Sequence, residues 1–246
     1  MNPFSWMGFQ NKLPLTWESL GTIVLGERMF IMKEISYTQA FTILVLNQKP
    51  KLNAFKDRRI AACLLISELV ELMRSRTVRT TGANRMVVAP VETTDIDYLQ
   101  PILRDLKGRD PETMVNYVKS AVLSLRKRRV LTFAKAVCDS LIKSGRIEED
   151  DRRYYVTQTM AYRLVTEVYN DLLGDKEPAD QTVMLAILLI NSGLLKDYYP
   201  KAEADKIKDL IEQTAHPDKY LLVSDVIKRI NHEVAEIVSA VESWDG

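Results

Sequence analysis

The chain is short of the residues from which compact chemistry is usually built. Its 246 residues include two cysteines and two histidines. Cys63 and Cys138 both fall in apolar helical patterns, where cysteine behaves as a small hydrophobe, and one pair cannot form a disulfide framework for a chain of this size. A reducing, cytoplasmic setting is expected. Cys63, Cys138, His216 and His232 share no ligand spacing, so no metal site is expected. The nine glycines are scattered as helix stops and turns, and neither G-x-G-x-x-G nor G-x-x-x-x-G-K-[ST] occurs. No nucleotide or other cofactor is expected. With both histidines in the last third, no local signature of a nucleophilic triad exists, and the chain reads as non-enzymatic.

Long hydrophobic runs are missing as well. The most apolar stretch, residues 183–190, is far below the roughly 20 residues that span a bilayer. Residues 1–10 lack the basic start and small-residue cleavage site of a signal peptide. Nor does one sign of charge dominate: 34 Lys and Arg stand against 33 Asp and Glu, a formal net charge of +1. The whole molecule therefore does not call for nucleic acid, and any electrostatic function must come from local clustering.

What is present is ordinary globular material, 46% hydrophobic and 27% charged. Residues 1–31 differ from the rest. Pro3, Gly8, Pro14, Gly21 and Gly26 interrupt them, and Phe4, Trp6, Phe9, Trp17 and Phe30 keep no helical period. They are expected to form an irregular aromatic arm, packed on its own domain, on a neighbouring copy or in a membrane interface. Residues 32–246 are expected to form one helical domain. Ser36 and Gln39 make a capping box ahead of the first helix. A basic loop, residues 49–56, leads to a second helix over 57–74, on which Ile60, Ala61, Leu64, Leu65, Glu68, Leu69 and Leu72 recur at three and four.

Alternation around the turn 81–84 predicts a short hairpin. Helices follow over 95–107 and 111–123, the latter capped by Asp110 with Pro111 in its first turn. A basic run, Arg126 to Arg129, opens a helix ending at Gly145, and residues 146–155 predict a second hairpin with a charged tip. The last third reads as helices over 158–173, 179–192, 201–213 and 224–241. The second of these, apolar nearly all round from Val183 to Ile190, belongs inside a bundle. The fold class is thus mainly α, a helical bundle around a central buried helix with one or two short β-hairpins.

Two motifs invite chemistry. Glu68 and Glu71 lie one helical turn apart, but are expected to be one paired acid and one solvated acid without a catalytic role. His216-Pro217-Asp218 matches the loop by which J-domain co-chaperones contact their partner. The basic helix that should precede it is only partly present, and the segment reads as a helix stop with a turn.

Two basic clusters remain. Lys49, Lys51, Lys56, Arg58 and Arg59 gather about the start of the second helix, and Arg126 to Arg129 about the start of the helix before Gly145. A helix start adds a positive dipole and free backbone donors, so two such ends side by side would form an anion pocket.

The run DQTVMLAILLINSGLL from Asp180 to Leu195 resembles the central helix of the Golgi phosphoprotein 3 family. Residues 35–46, the stretch Leu65-Ile66-Ser67-Glu68-Leu69 and residues 141–147 agree with that family in order and spacing. The resemblance covers residues 35–244 and suggests a divergent, compact, prokaryotic-type member. It implies a peripheral membrane adaptor that binds phosphatidylinositol 4-phosphate and holds the cytosolic tails of membrane proteins. The family's headgroup positions fall near Asn53, Ala62, Leu131 and Ala134, and none keeps the family's Trp or Arg. A displaced anion site made by Arg58, Arg59, Lys127 and Arg128 is therefore expected, with an anionic phospholipid headgroup as ligand. The family also implies self-association through the second hairpin, here Tyr154, Tyr155 and Val156, giving a homo-oligomer. The alternative is a cytosolic oligomeric interaction protein of the same fold without lipid binding.

Overall fold

A computed structural model describes residues 32, 34–89, 94–124, 127–214 and 225–243. The aromatic arm and the His216 turn lie outside them. The elements, in chain order, are α1 (Tyr37–Gln48), a 3-10 turn (Leu52–Lys56), α2 (Arg58–Arg74), β1 (Val78–Thr80), β2 (Met86–Val88), a second 3-10 turn (Asp97–Leu99), α3 (Gln100–Lys107), α4 (Met114–Val122), α5 (Arg128–Lys143), β3 (Glu148–Asp150), β4 (Arg153–Tyr155), α6 (Gln158–Leu172), α7 (Asp180–Ser192), α8 (Leu195–Tyr198), α9 (Lys201–Thr214) and α10 (Asp225–Glu242). The fold is mainly α, and each hairpin is a separate two-stranded antiparallel sheet.

Local chemistry sets most boundaries. Ser36 Oγ accepts from the Gln39 amide at 3.2 Å while Gln39 Oε1 accepts from the Ser36 amide at 3.2 Å, the reciprocal box that starts α1. At the far end of α7, Gly193 takes φ 78°, a left-handed stop that a side chain would strain. The second hairpin turns on Asp151 and Arg152, both with positive φ, as a two-residue connection between twisted strands requires.

Three helices share the centre, rather than α7 alone. α1 is buried from Tyr37 to Leu46 except at Gln39, and α2 from Ile60 to Leu72. α7 is buried from Thr182 to Leu189. α2 packs against α1, α4, α7 and α10, and α1 against α5, α6 and α7. Side chains such as Phe41, Leu44, Leu65 and Leu185 have no exposure, each worth about 2 kcal/mol of apolar burial at most.

The helix expected from Pro111 starts instead at Met114, capped by Thr113 Oγ1 on the Asn116 amide at 3.3 Å. The reason is pairing: Glu112 O accepts from the Met86 amide at 2.8 Å, and Thr113 bridges Arg85. Those residues run extended along the first hairpin and cannot be helical. Similarly, the helix expected from Asp95 opens as the second 3-10 turn, and its α-helical part begins at Gln100 with Pro101 in the first turn.

Candidate functional site

Each of the two basic clusters ends on a helix start, and both starts meet at the first 3-10 turn, which packs against α2 and α5. The turn is anchored by Phe55, fully buried, and carries Lys56 on its exposed end. Asp57 follows as the N-cap of α2, accepting from the Arg59 amide at 3.0 Å and the Ile60 amide at 3.3 Å. Two of the backbone donors that an anion would seek there are already taken.

The two arginines behind Asp57 reach the far end of α10. Arg58 Nη1 donates to Val241 O at 3.3 Å, and Arg59 Nε is paired with the Glu242 carboxylate. Both cations complement the negative end of that helix and fix its last turn on α2. The Glu242 carboxylate also holds the Arg59 guanidinium charged, above its ordinary range.

At the start of α5 the arrangement is different. Lys127 precedes the helix with φ 46° and ψ 24°, a left-handed backbone, and no side chain caps the first turn. Its ammonium donates to Lys56 O, tying α5 to the 3-10 turn. Partial burial lowers the Lys127 pKa first, and the neighbouring charges of Arg58 and Lys56 lower it further, while Asp57 acts in the opposite sense. The structure thus brings Lys56, Arg58 and Lys127 into one field, with Arg128 exposed beside them. Arg59 is drawn to Glu242 instead, and Arg129 turns inward to Asp105 Oδ2 at 2.5 Å and over the Tyr117 ring at 4.8 Å.

A family model for Golgi phosphoprotein 3 (GPP34) matches residues 38–235. The chain belongs to the Golgi phosphoprotein 3 family. No curated protein matches it. Of the positions where the family's headgroup residues fall, Ala62 and Ala134 are fully buried in this member, Leu131 is half-buried and Asn53 is exposed. A headgroup cannot touch Ala62 or Ala134, so any anion site of this Golgi phosphoprotein 3 protein must be built elsewhere.

The second hairpin divides its three named residues. Tyr154 is 3% exposed, and its amide donates to Pro50 O at 3.0 Å, so this residue belongs to the protein's own core. Tyr155 is 49% exposed, and Val156 is half-buried. Among the described residues no helix is long and apolar enough to cross a membrane, and no cluster of three or more His, Cys, Asp or Glu side chains could hold a metal.

Three participants were not given their roles by the sequence. Lys56 stood in the basic loop, but nothing local marked it as the partner of Lys127. Asp57 carried a legible signal, an Asp directly before a helical repeat. Glu242 had none, since it meets Arg59 across 183 residues.

Proposed function

We propose that this protein is a non-catalytic peripheral adaptor that meets anionic phospholipid headgroups with the surface formed by Lys56, Arg58, Lys127 and Arg128, a site shifted from the family's own. The observation that carries this reading is the crowding at Lys127. Arg58 and Lys56 both depress the Lys127 ammonium, and Asp57, the carboxylate that opposes them there, also serves as a helix cap. Like charges gathered on one face favour an anion, and each Lys or Arg near an anionic bilayer contributes about 1 kcal/mol. Cytosolic tails of membrane proteins are the corresponding clients of such an adaptor.

Arg58 also holds α10, so the test spares it. Lys127→Glu with Arg128→Glu is expected to abolish flotation with liposomes containing phosphatidylinositol 4-phosphate while leaving the thermal melt near that of the parent. Undiminished flotation of the double variant, or none by the parent, would remove the proposal.

A second reading, an oligomeric interaction protein without lipid binding, is favoured by Tyr155, which stands half-exposed on a hairpin whose partner Tyr154 is buried. It predicts concentration-dependent self-association in sedimentation that Tyr155→Ser weakens. Monomers at every concentration would exclude it.

A further inference from the structure

The interior carries a polar seam that neither the bundle nor the basic surface requires. Glu68 and Glu71 stand one turn apart on α2, both buried. One of the two was expected to be paired, and Glu71 is: Oε1 accepts from the Thr38 amide at 3.4 Å and Oε2 from the Tyr98 hydroxyl at 2.5 Å. Tyr98 is in turn bonded to Ser36 Oγ at 2.8 Å. Thr38 lies in the first turn of α1, so this carboxylate stands at the positive end of a helix dipole. The other was expected to be solvated, but Glu68 has no exposure, and among the described residues neither of its carboxylate oxygens has a hydrogen-bond partner.

Two carboxylates this close in an apolar interior cannot both ionise, and the proton goes to the one without donors. We infer that Glu68 and Glu71 carry a single negative charge between them in the folded protein at neutral pH, with the charge on Glu71 and the proton on Glu68, making the α1–α2 seam a proton-dependent joint.

The surroundings agree. Burial, and then the Glu71 charge, push the Glu68 carboxyl well above the usual carboxylate range. Burial also raises Glu71, but the hydrogen bonds from Tyr98, Thr38 and Ser36 pull it back down. The other titratable groups buried on elements around α2 are Tyr37 of α1, Tyr98 before α3, Tyr117 of α4 and Cys138 of α5. Burial raises each of them and keeps it neutral. Cys63, on α2 itself, is raised the same way. The described buried side chains of α3, α7 and α10 carry no ionisable group. Arg74, at the end of α2, bears on Tyr37 and lies 3.7 Å from Asp180.

Because the folded-state value is raised, the stability that Glu68 contributes is complete below the ordinary carboxylate range and is lost as the pH climbs through the raised value. Between about pH 5.5 and about pH 7, one linked proton lowers the folding equilibrium constant about tenfold per unit relative to Glu68→Gln. An equal pH dependence of the two proteins overturns the inference.

Infrared spectroscopy of the whole chain at neutral pH reads the proton directly. The carbonyl band of a protonated carboxylic acid is expected in the parent and in Glu71→Gln, and its loss in Glu68→Gln. No such band in the parent, its persistence in Glu68→Gln, or its disappearance from Glu71→Gln overturns the assignment. Should Glu68→Gln fail to fold, the parent and Glu71→Gln decide the matter alone.

Discussion

The starts of α2 and α5 look alike in sequence, each a short run of Lys and Arg opening an apolar helical repeat, yet the fold treats them in opposite ways. At α2 the positive end is spent internally: Asp57 closes the first turn, and Arg58 and Arg59 bind the end of α10. At α5 no side chain closes the turn, the backbone enters through a left-handed lysine, and Arg128 remains exposed. A basic run is thus an ambiguous signal. Whether it is a cap, a clamp or a binding surface depends on where the chain's carboxylates fall, and those come from positions as distant as Glu242.

Removing the cap gives the largest effect on this contrast. Asp57→Ala leaves two amides of α2 without their acceptor, and the cost is expected to be about 1.5 kcal/mol in a denaturant titration. The same change removes the carboxylate that opposes the crowding at Lys127, so flotation with anionic liposomes should strengthen even as the fold weakens. If stability and lipid binding fall together, the two helix starts are not separate in function.

The bundle itself was legible. Ser36 with Gln39 marks the start of α1, Gly193 the end of α7, and the charged tip about Asp151 the second hairpin, because each of these signals acts within a few residues. The miss at Pro111 has a non-local cause, since the backbone of Glu112 is claimed by Met86 of the first hairpin. The solvated acid expected of the Glu68 and Glu71 pair is a miss of another kind. Glu68 sat in the apolar repeat of α2, and periodicity placed it on the buried face. Only its charge argued for solvent, and the fold resolves that conflict by burial. At the candidate site the cations could be read from the sequence. Their neutralisation could not, because nothing near Arg59 announces Glu242 and nothing near Lys127 announces the carbonyl of Lys56.

Lys127 supplies the finer test of the contrast, because its backbone and its charge make separable contributions. A φ of 46° strains any residue with a Cβ, whereas glycine adopts it freely. Lys127→Gly and Lys127→Ala both delete the ammonium and its bond to Lys56 O, so they differ in backbone alone. The glycine variant is expected to be the more stable by about 1 kcal/mol in denaturant midpoints. Both variants should bind anionic liposomes equally weakly, since both lack the same charge. A glycine variant no more stable than the alanine variant would show that the left-handed entry to α5 is not held in solution. The open first turn that distinguishes this helix start from that of α2 would then lose its structural basis.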